Sequence, residues 1–443
     1  MTSPLLSRLK TGVALTAIMA QLAVSVEPAS AFCGFYVAQA DAKLFNKASK
    51  VVLTRNGRQT AITMASDYEG EPSEFALVIP VPSFIKKDQI SVVDTKTIDH
   101  LDAYTAPRLV EYFDPDPCQQ DRLMALSALP VPAAVRRGSL PEYRGVQVEA
   151  RYGVAEYDVS ILSAEESDGL VRWLTDNGYK IPRGAEPVIG SYIKQKMHFF
   201  VAKVNLKRMQ DSGRAYLRPL QVRYETAKFM LPLRLGTVNA NGPQDLVIYA
   251  LTPHGRVEAS NYRTVRVPSD VDVPLFVKND FASFYKATFE HAVARENMHG
   301  VFVEYAWDMG WCDPCAAAPM SKAELTELGA LWNDGDGTVA NRFPAGSGND
   351  PFVTRLHVRY DAQSFPEDLN FVETSDRENF QGRYILHHPA TSTTACAAAK
   401  AYRASLPQRF KAEADNLANL TGWSKDDIAA RMAAAGKDIS RVP

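Results

Sequence analysis

The stretch Gly300 to Cys315, GVFVEYAWDMGWCDPC, sets the character of the second half of the chain. It reads as a buried strand that runs out into Trp311 and a Cys-x-x-Cys pair. Ahead of it, Asn279 to Glu296 places Phe281, Phe284, Tyr285, Thr288, Phe289 and Ala292 on one helical face. Behind it, Ser321 and Glu324 form a capping box that starts a helix reaching Leu331. Phe352 to Tyr360, Leu369 to Glu373 and Arg383 to His387 then read as strands. The C-terminus is helical and Ala-rich, with Pro407 breaking it or starting a new helix. Ser424 caps a last short helix, and Trp423 and Ile428 form its hydrophobic staple. Residues 271–443 are therefore expected to form a mixed α/β domain with C-terminal helices.

Toward the N-terminus the pattern is richer in strands. Lys50 to Thr54, Thr60 to Ala65 and Phe75 to Val81 are short β-branched runs, and Asn56-Gly57 between the first two is a hairpin signal. Ile98 to Phe113 has the spacing of a helix interrupted by Pro107. Glu149 to Ser163 alternates as a strand, a capped helix follows through Leu170, Trp173 and Leu174, and HFFVAKVNL closes a β-helix-β unit. Residues 220–267 loosely echo 60–82, each with a strand, an acidic or Asn/Gly turn, then an apolar strand closed by proline. The expected fold class is α+β. A β-rich region over 32–270, with two similar antiparallel layers and the inserted unit, packs with the mixed domain over 271–443.

The N-terminus has the form of a secretion signal. Arg8 and Lys10 are its basic region, Thr11 to Val26 its apolar run, and Ala29-Ser30-Ala31 its cleavage site. The mature chain is expected to start at Phe32, with no membrane anchor, in a bacterial periplasm or outside the cell. Removing Arg8, Lys10 and Glu27 turns 49 basic and 51 acidic residues into 47 and 50. That balance excludes the basic footprint of a nucleic-acid binder.

Five cysteines remain after cleavage: Cys33, Cys118, Cys312, Cys315 and Cys396. In an oxidising compartment they are candidates for disulfides, and their odd number leaves one without an intrachain partner. Cys312 and Cys315 admit three readings. As a redox pair, Cys312 attacks as a thiolate and Cys315 resolves. Trp311-Cys312-Asp313-Pro314-Cys315 resembles the active-site stretch of thioredoxin-fold proteins over these few residues. Against this, the capping box starts the next helix only at Ser321, and an acidic Asp313 opposes a thiolate. As structural cysteines, they pair with each other, with Cys118 or with Cys396. As metal ligands, they require His299, His387 or His388 to complete a tetrahedral set, and adjacent strand residues face opposite ways. We expect no metal and no cofactor. Asn333 to Thr338 fails as a calcium loop, because Trp332 and Phe343 would stand where oxygens are required.

Five segments together resemble a bacterial exported family called domain of unknown function 2330. They are CGFYVAQADAKLFNKASKVVL, FALVIPVP, LDAYTAPRLVEYFDPDPC, LSAEESDGLVRWLTDNGYKIP and EYAWDMGWCDPC. The resemblance implies secretion from a bacterium and transfers no catalytic residue. The expected function is a non-catalytic, disulfide-stapled binding or scaffold protein, with an envelope protein or a small ligand as its partner. A thiol–disulfide oxidoreductase using Cys312 and Cys315 is the alternative.

Overall fold

The computed structural model describes residues 29–30, 35–39, 45–69, 75–118, 152–162, 167–182, 184–211, 217–240, 242–311, 313, 317–333, 350–391 and 396–437. The signal segment 1–28, the cleavage-site Ala31, and Cys33, Cys312 and Cys315 lie outside them. The chain is α+β, and its frame is a ten-stranded sheet. Across this sheet run Arg263–Arg266, Gly300–Asp308, Phe352–Tyr360, Gln244–Thr252, Phe45–Asn56, Gln59–Glu69, Leu220–Glu225 and Ile90–Val92, in that order. Phe380–Gln381 adds to the 300–308 strand, and Ala29–Ser30 pairs in parallel with Gln244–Asp245. Most neighbours are antiparallel, but Gln244–Thr252 runs parallel to Phe45–Asn56, and Arg263–Arg266 parallel to Gly300–Asp308. The sheet takes strands from both sides of residue 270.

A six-stranded antiparallel sheet lies against one face of the large one. It is built around Phe75–Val81, His198–Val204 and Tyr157–Leu162. Strand alternation explains the sandwich. In FVTRLHVRY, Phe352, Leu356, Val358 and Tyr360 enter the core between the sheets, while Val353, Arg355 and His357 face the other way. Leu246, Ile248 and Ala250 do the same on the neighbouring strand, with Tyr249 and Leu251 on its opposite face. Helices Ser167–Asp176 and Ala185–Lys194 cover the outer face of the second sheet through Leu170, Leu174, Ile189 and Tyr192. Helices Thr95–Thr105 and Lys322–Glu327 cover the outer face of the large sheet through Ile98, Leu101, Tyr104, Leu325 and Leu328. The result is a helix–sheet–sheet–helix stack. The inserted β-helix-β unit belongs to the second sheet. Of the two echoing segments, Gln59–Glu69, Leu220–Glu225 and Gln244–Thr252 lie in the large sheet, Phe75–Val81 in the six-stranded sheet and Met230–Leu231 in a three-stranded one.

A third sheet has three parallel strands, Val271–Asp272, Arg383–His388 and Arg108–Phe113. Here the structure corrects the expected helix over 98–113. The helix ends at Thr105, and RLVEYF becomes an edge strand. Pro107 is the cause, because it drives the residue before it out of the helical region, and Ala106 sits at φ −64°, ψ 145°. Pro407 does not break its helix, which runs unbroken from Ala397 to Thr421. Helix Phe281–Arg295, this long helix and Lys425–Ala434 bury Phe284, Phe410, Leu417, Leu420, Ile428 and Met432 against Tyr384 and Leu386. Two of the caps read from the sequence form: Ser321 accepts from the Glu324 N–H, and Ser424 from the Asp427 N–H, while the capping box expected at Ser163 and Glu166 lies outside the described residues.

Gly329 ends the short helix beyond Ser321 in the left-handed region, at φ +92°, and a Cβ there would stand 2.7 Å from Ala61 Cβ. Gly329→Ala should therefore lower stability by roughly 1–3 kcal/mol, from backbone conformation and overpacking together. Urea unfolding of the variant beside the wild type measures it.

Candidate functional site

The stretch Gly300–Asp308 carries its chemistry at Glu304. Pairing with Phe352–Tyr360 shifts register between Val303 and Tyr305, which makes Glu304 the extra residue of a bulge. Val301, Val303 and Ala306 keep to the sandwich core, whereas Glu304 and Tyr305 turn toward the helices. Glu304 is fully buried. Its Oε2 accepts from Arg355 Nε at 2.6 Å, and its Oε1 meets His357 Nδ1 at 2.6 Å and the Tyr285 hydroxyl. Ionised Glu304 can only accept, so His357 carries its proton on Nδ1. The His357 ring stacks on Phe289 with centroids 3.6 Å apart.

Arg355 continues the network. Its Nη1 donates to Asp102 on helix Thr95–Thr105, whose carboxylate also accepts from Lys50 Nζ and the Tyr249 hydroxyl, each at 2.7 Å. Two carboxylates thus face two permanent cations. Burial alone would raise the Glu304 carboxyl, but the charges of His357 and Arg355 and the bonds from His357 and Tyr285 outweigh it and hold it at about 2. Burial also works against Asp102, and Arg355, Lys50 and Tyr249 reverse it, so its pKa is lowered. Glu304 and Arg355 are enclosed by their own partners, while Asp102 and Lys50 at the far end stay partly exposed. The role of the network is to lock the large sheet to two helices.

Beyond this strand, Asp313 is buried and accepts from the Tyr305 hydroxyl at 3.0 Å and from Gln381 Nε2 at 2.8 Å. The residue between the two cysteines is thereby anchored inward, next to the half-exposed Trp311. Helix Lys322–Glu327 begins well past Cys315 in the sequence. Among the described residues, no group of three or more His, Cys, Asp or Glu is arranged to hold a metal ion.

A second cluster gathers at the carboxyl ends of the three parallel strands, where open α/β sheets place their ligand crevices. Cys118 and Cys396 form a disulfide there, with Cα atoms 6.1 Å apart. It joins the loop after Arg108–Phe113 to the N-cap of helix Ala397–Thr421. Neither cysteine is then available to Cys312 or Cys315. Beside it, Asp114 accepts from Arg409 Nη1 at 2.6 Å and from the Tyr402 hydroxyl. His387 lies 3.2 Å from Asp272 and 3.7 Å from Asp114, while His388 bonds Glu111 at 2.7 Å. The adjacent histidines thus serve different carboxylates. Phe113 and Tyr112 are exposed and stack on His388 and His387.

With both sites described, the chain can be set beside known proteins. The chain belongs to the DUF2330 family. That family is described as an uncharacterized protein conserved in bacteria, and it matches residues 27–372. No curated protein and no solved structure matches the chain. The Glu304 network lies wholly within the DUF2330 segment, whereas His387, Cys396, Arg409 and Glu413 lie beyond it.

Glu413 is the unsettled member of the second cluster. It is buried, and its Oε1 makes no hydrogen bond although Arg409 Nε is 3.5 Å away. Burial raises its pKa to about 7, against the pull of Arg409 and with Asp272 adding to the rise.

Glu304→Gln leaves Arg355 buried beside a neutral amide and should cost roughly 3–5 kcal/mol in denaturant unfolding. Because the Glu304 pKa is lowered on folding, its contribution is complete above the unfolded value near 4.5 and is lost as pH falls toward about 2. Wild-type stability should therefore fall steeply in that window, and Glu304→Gln should flatten the fall. Glu413 has the opposite sign. Its raised pKa favours the folded state below about 4.5, and this is lost as pH rises through about 7. Amide exchange in helix Ala397–Thr421 should speed up between pH 5 and pH 8 more in the wild type than in Glu413→Gln, by up to about 3 kcal/mol in opening free energy.

Proposed function

We propose that this DUF2330 protein is exported from a bacterium and works as a non-catalytic, disulfide-stapled binding or scaffold protein of the cell envelope. The observation that carries the reading is the Cys118–Cys396 cross-link. Thiols are kept reduced in the cytosol of most bacteria, so a disulfide built into the frame fits an oxidising compartment. The basic region, apolar run and Ala29-Ser30-Ala31 site supply the route. Cleavage after Ala31 removes the short Ala29–Ser30 strand and leaves the sandwich frame intact. No helix among the described residues is long and apolar enough to cross a membrane. The binding role draws on the exposed Tyr112 and Phe113 shelf beside the cross-link, since aromatic side chains are favoured at contact surfaces. The Glu304 network supports a structural use of the buried charges, because its ionised groups are spent on one another.

Fractionation of the native host, followed by non-reducing peptide mapping, tests the reading. The expected result is a mature chain starting at Phe32, outside the cytoplasm, with a Cys118–Cys396 peptide. A cytoplasmic chain with both thiols free would overturn it. Cys118→Ser should destabilise the exported protein by roughly 2–5 kcal/mol, because the bridge spans 278 residues of sequence. Reductant should lower the melting temperature of the wild type and leave that of Cys118→Ser unchanged.

A further inference from the structure

The Cys118–Cys396 bond is built unequally at its two ends. Cys396 is the N-cap of the 25-residue helix Ala397–Thr421, and its Sγ accepts from the Ala399 N–H at 3.3 Å. The positive end of the helix therefore bears on this sulfur and favours negative charge there. Cys118 ends the run Asp114-Pro115-Asp116-Pro117, and its own N–H donates to the Asp116 carboxylate at 2.9 Å. A carboxylate this close opposes a thiolate at Cys118. Both half-cystines are partly exposed, so a small thiol can reach them.

The other charges of the cluster leave this asymmetry in place. Asp114 is bonded by Arg409 Nη1 at 2.6 Å and by the Tyr402 hydroxyl, and His387 lies 3.7 Å from it. Its charge is thus met by its own partners. The same contacts, with the apolar seam of Phe410, Leu417 and Leu420, hold the helix without any help from the sulfurs.

We propose that Cys118–Cys396 is a thiol-sensitive clasp of fixed polarity, opened by a dithiol of its compartment through attack at Cys118. An incoming thiolate bonds to Cys118 Sγ, the S–S bond breaks, and its electron pair leaves on Cys396 Sγ, where the Ala399 N–H holds the thiolate. The second thiol of the reductant then displaces Cys118, and its proton passes through water to the Cys118 sulfur. The dithiol is oxidised to its disulfide, and the cystine is reduced to one thiol and one thiolate. Cys396 is the sulfur that leaves because the thiol of lower pKa leaves faster. Opening frees the start of helix Ala397–Thr421 from the loop after Arg108–Phe113, while Asp114, Arg409 and Tyr402 keep the rest docked. The inference rests on the cross-link that carries the reading above, and its failure is separable: a bond that exchanges without polarity still staples an exported chain.

Cysteamine tests it, because its ammonium group is not repelled by Asp116. The oxidised full chain is blocked with N-ethylmaleimide, exposed briefly to cysteamine under native conditions, quenched with iodoacetamide and peptide-mapped without reduction. Cysteamine is expected on Cys118 and the acetamide on Cys396, in about tenfold excess over the reverse arrangement. In Cys118→Ser, half-maximal alkylation of Cys396 should fall at least about one pH unit below the ordinary thiol value of about 8.5. Ala399→Pro removes the donating N–H in the first helical turn, where proline is tolerated, and should shift the labelling ratio toward one. If that variant does not fold, the first two readings decide. Cysteamine on Cys396, equal labelling of the two sulfurs, a bond that cysteamine does not open, or a Cys396 midpoint at or above about 8.5 would each overturn the proposal.

Discussion

Arg355 is held between two carboxylates on different elements, Glu304 of the neighbouring strand and Asp102 of a covering helix. A buried guanidinium tolerates no slack, since an unpaired charge there is strongly destabilising. The pairing therefore dictates geometry. It needs the 352–360 strand in one register, because a slip of one residue would turn Arg355 and His357 into the sandwich core. It needs the bulge at Glu304 to bring that carboxylate to the helix side. It also needs helix Thr95–Thr105 at one height, so that Asp102 meets Arg355, Lys50 and Tyr249 together. The hydrophobic cores on the two faces of the large sheet supply the bulk of the burial, and the charge network decides how the layers are aligned.

The C-terminal helices obey a looser constraint. Their apolar seam on the parallel sheet is reinforced by a disulfide and by the Asp114, Arg409 and Tyr402 contacts. The residues that dock there lie past the DUF2330 segment, while Asp114 and Cys118 lie within it. The cross-link thus ties helix Ala397–Thr421 to the segment that the family model matches. Glu413, buried without a hydrogen bond to Oε1, has its carboxyl pushed up by burial to about 7, far from the range of the Glu304 carboxyl.

Some of this could be read directly from the chain. Helix Phe281–Arg295 followed from its aromatic spacing, the Asn56-Gly57 turn from its dipeptide, and the starts at Ser321 and Ser424 from their caps. Other assignments failed for identifiable reasons. RLVEYF has spacing compatible with a helix, and only its parallel pairing with Arg383–His388 makes it a strand. Pro407 is tolerated inside a long helix whose docked surface holds it in place. Glu304 stood in plain view within an apolar run, where a charged residue signals a buried partner.

Neighbours a few residues apart settled most element types, though not the strand Arg108–Phe113, and with them the period-two faces of the strands and the cysteines available for pairing. Only the tertiary structure decided that Glu304, Arg355 and Asp102 meet and that Cys118 joins Cys396. Those residues are far apart in the chain, and their contacts arise from how the sheets and helices stack. No local pattern encodes such an encounter, because the free energy that selects it belongs to the packed layers as a whole.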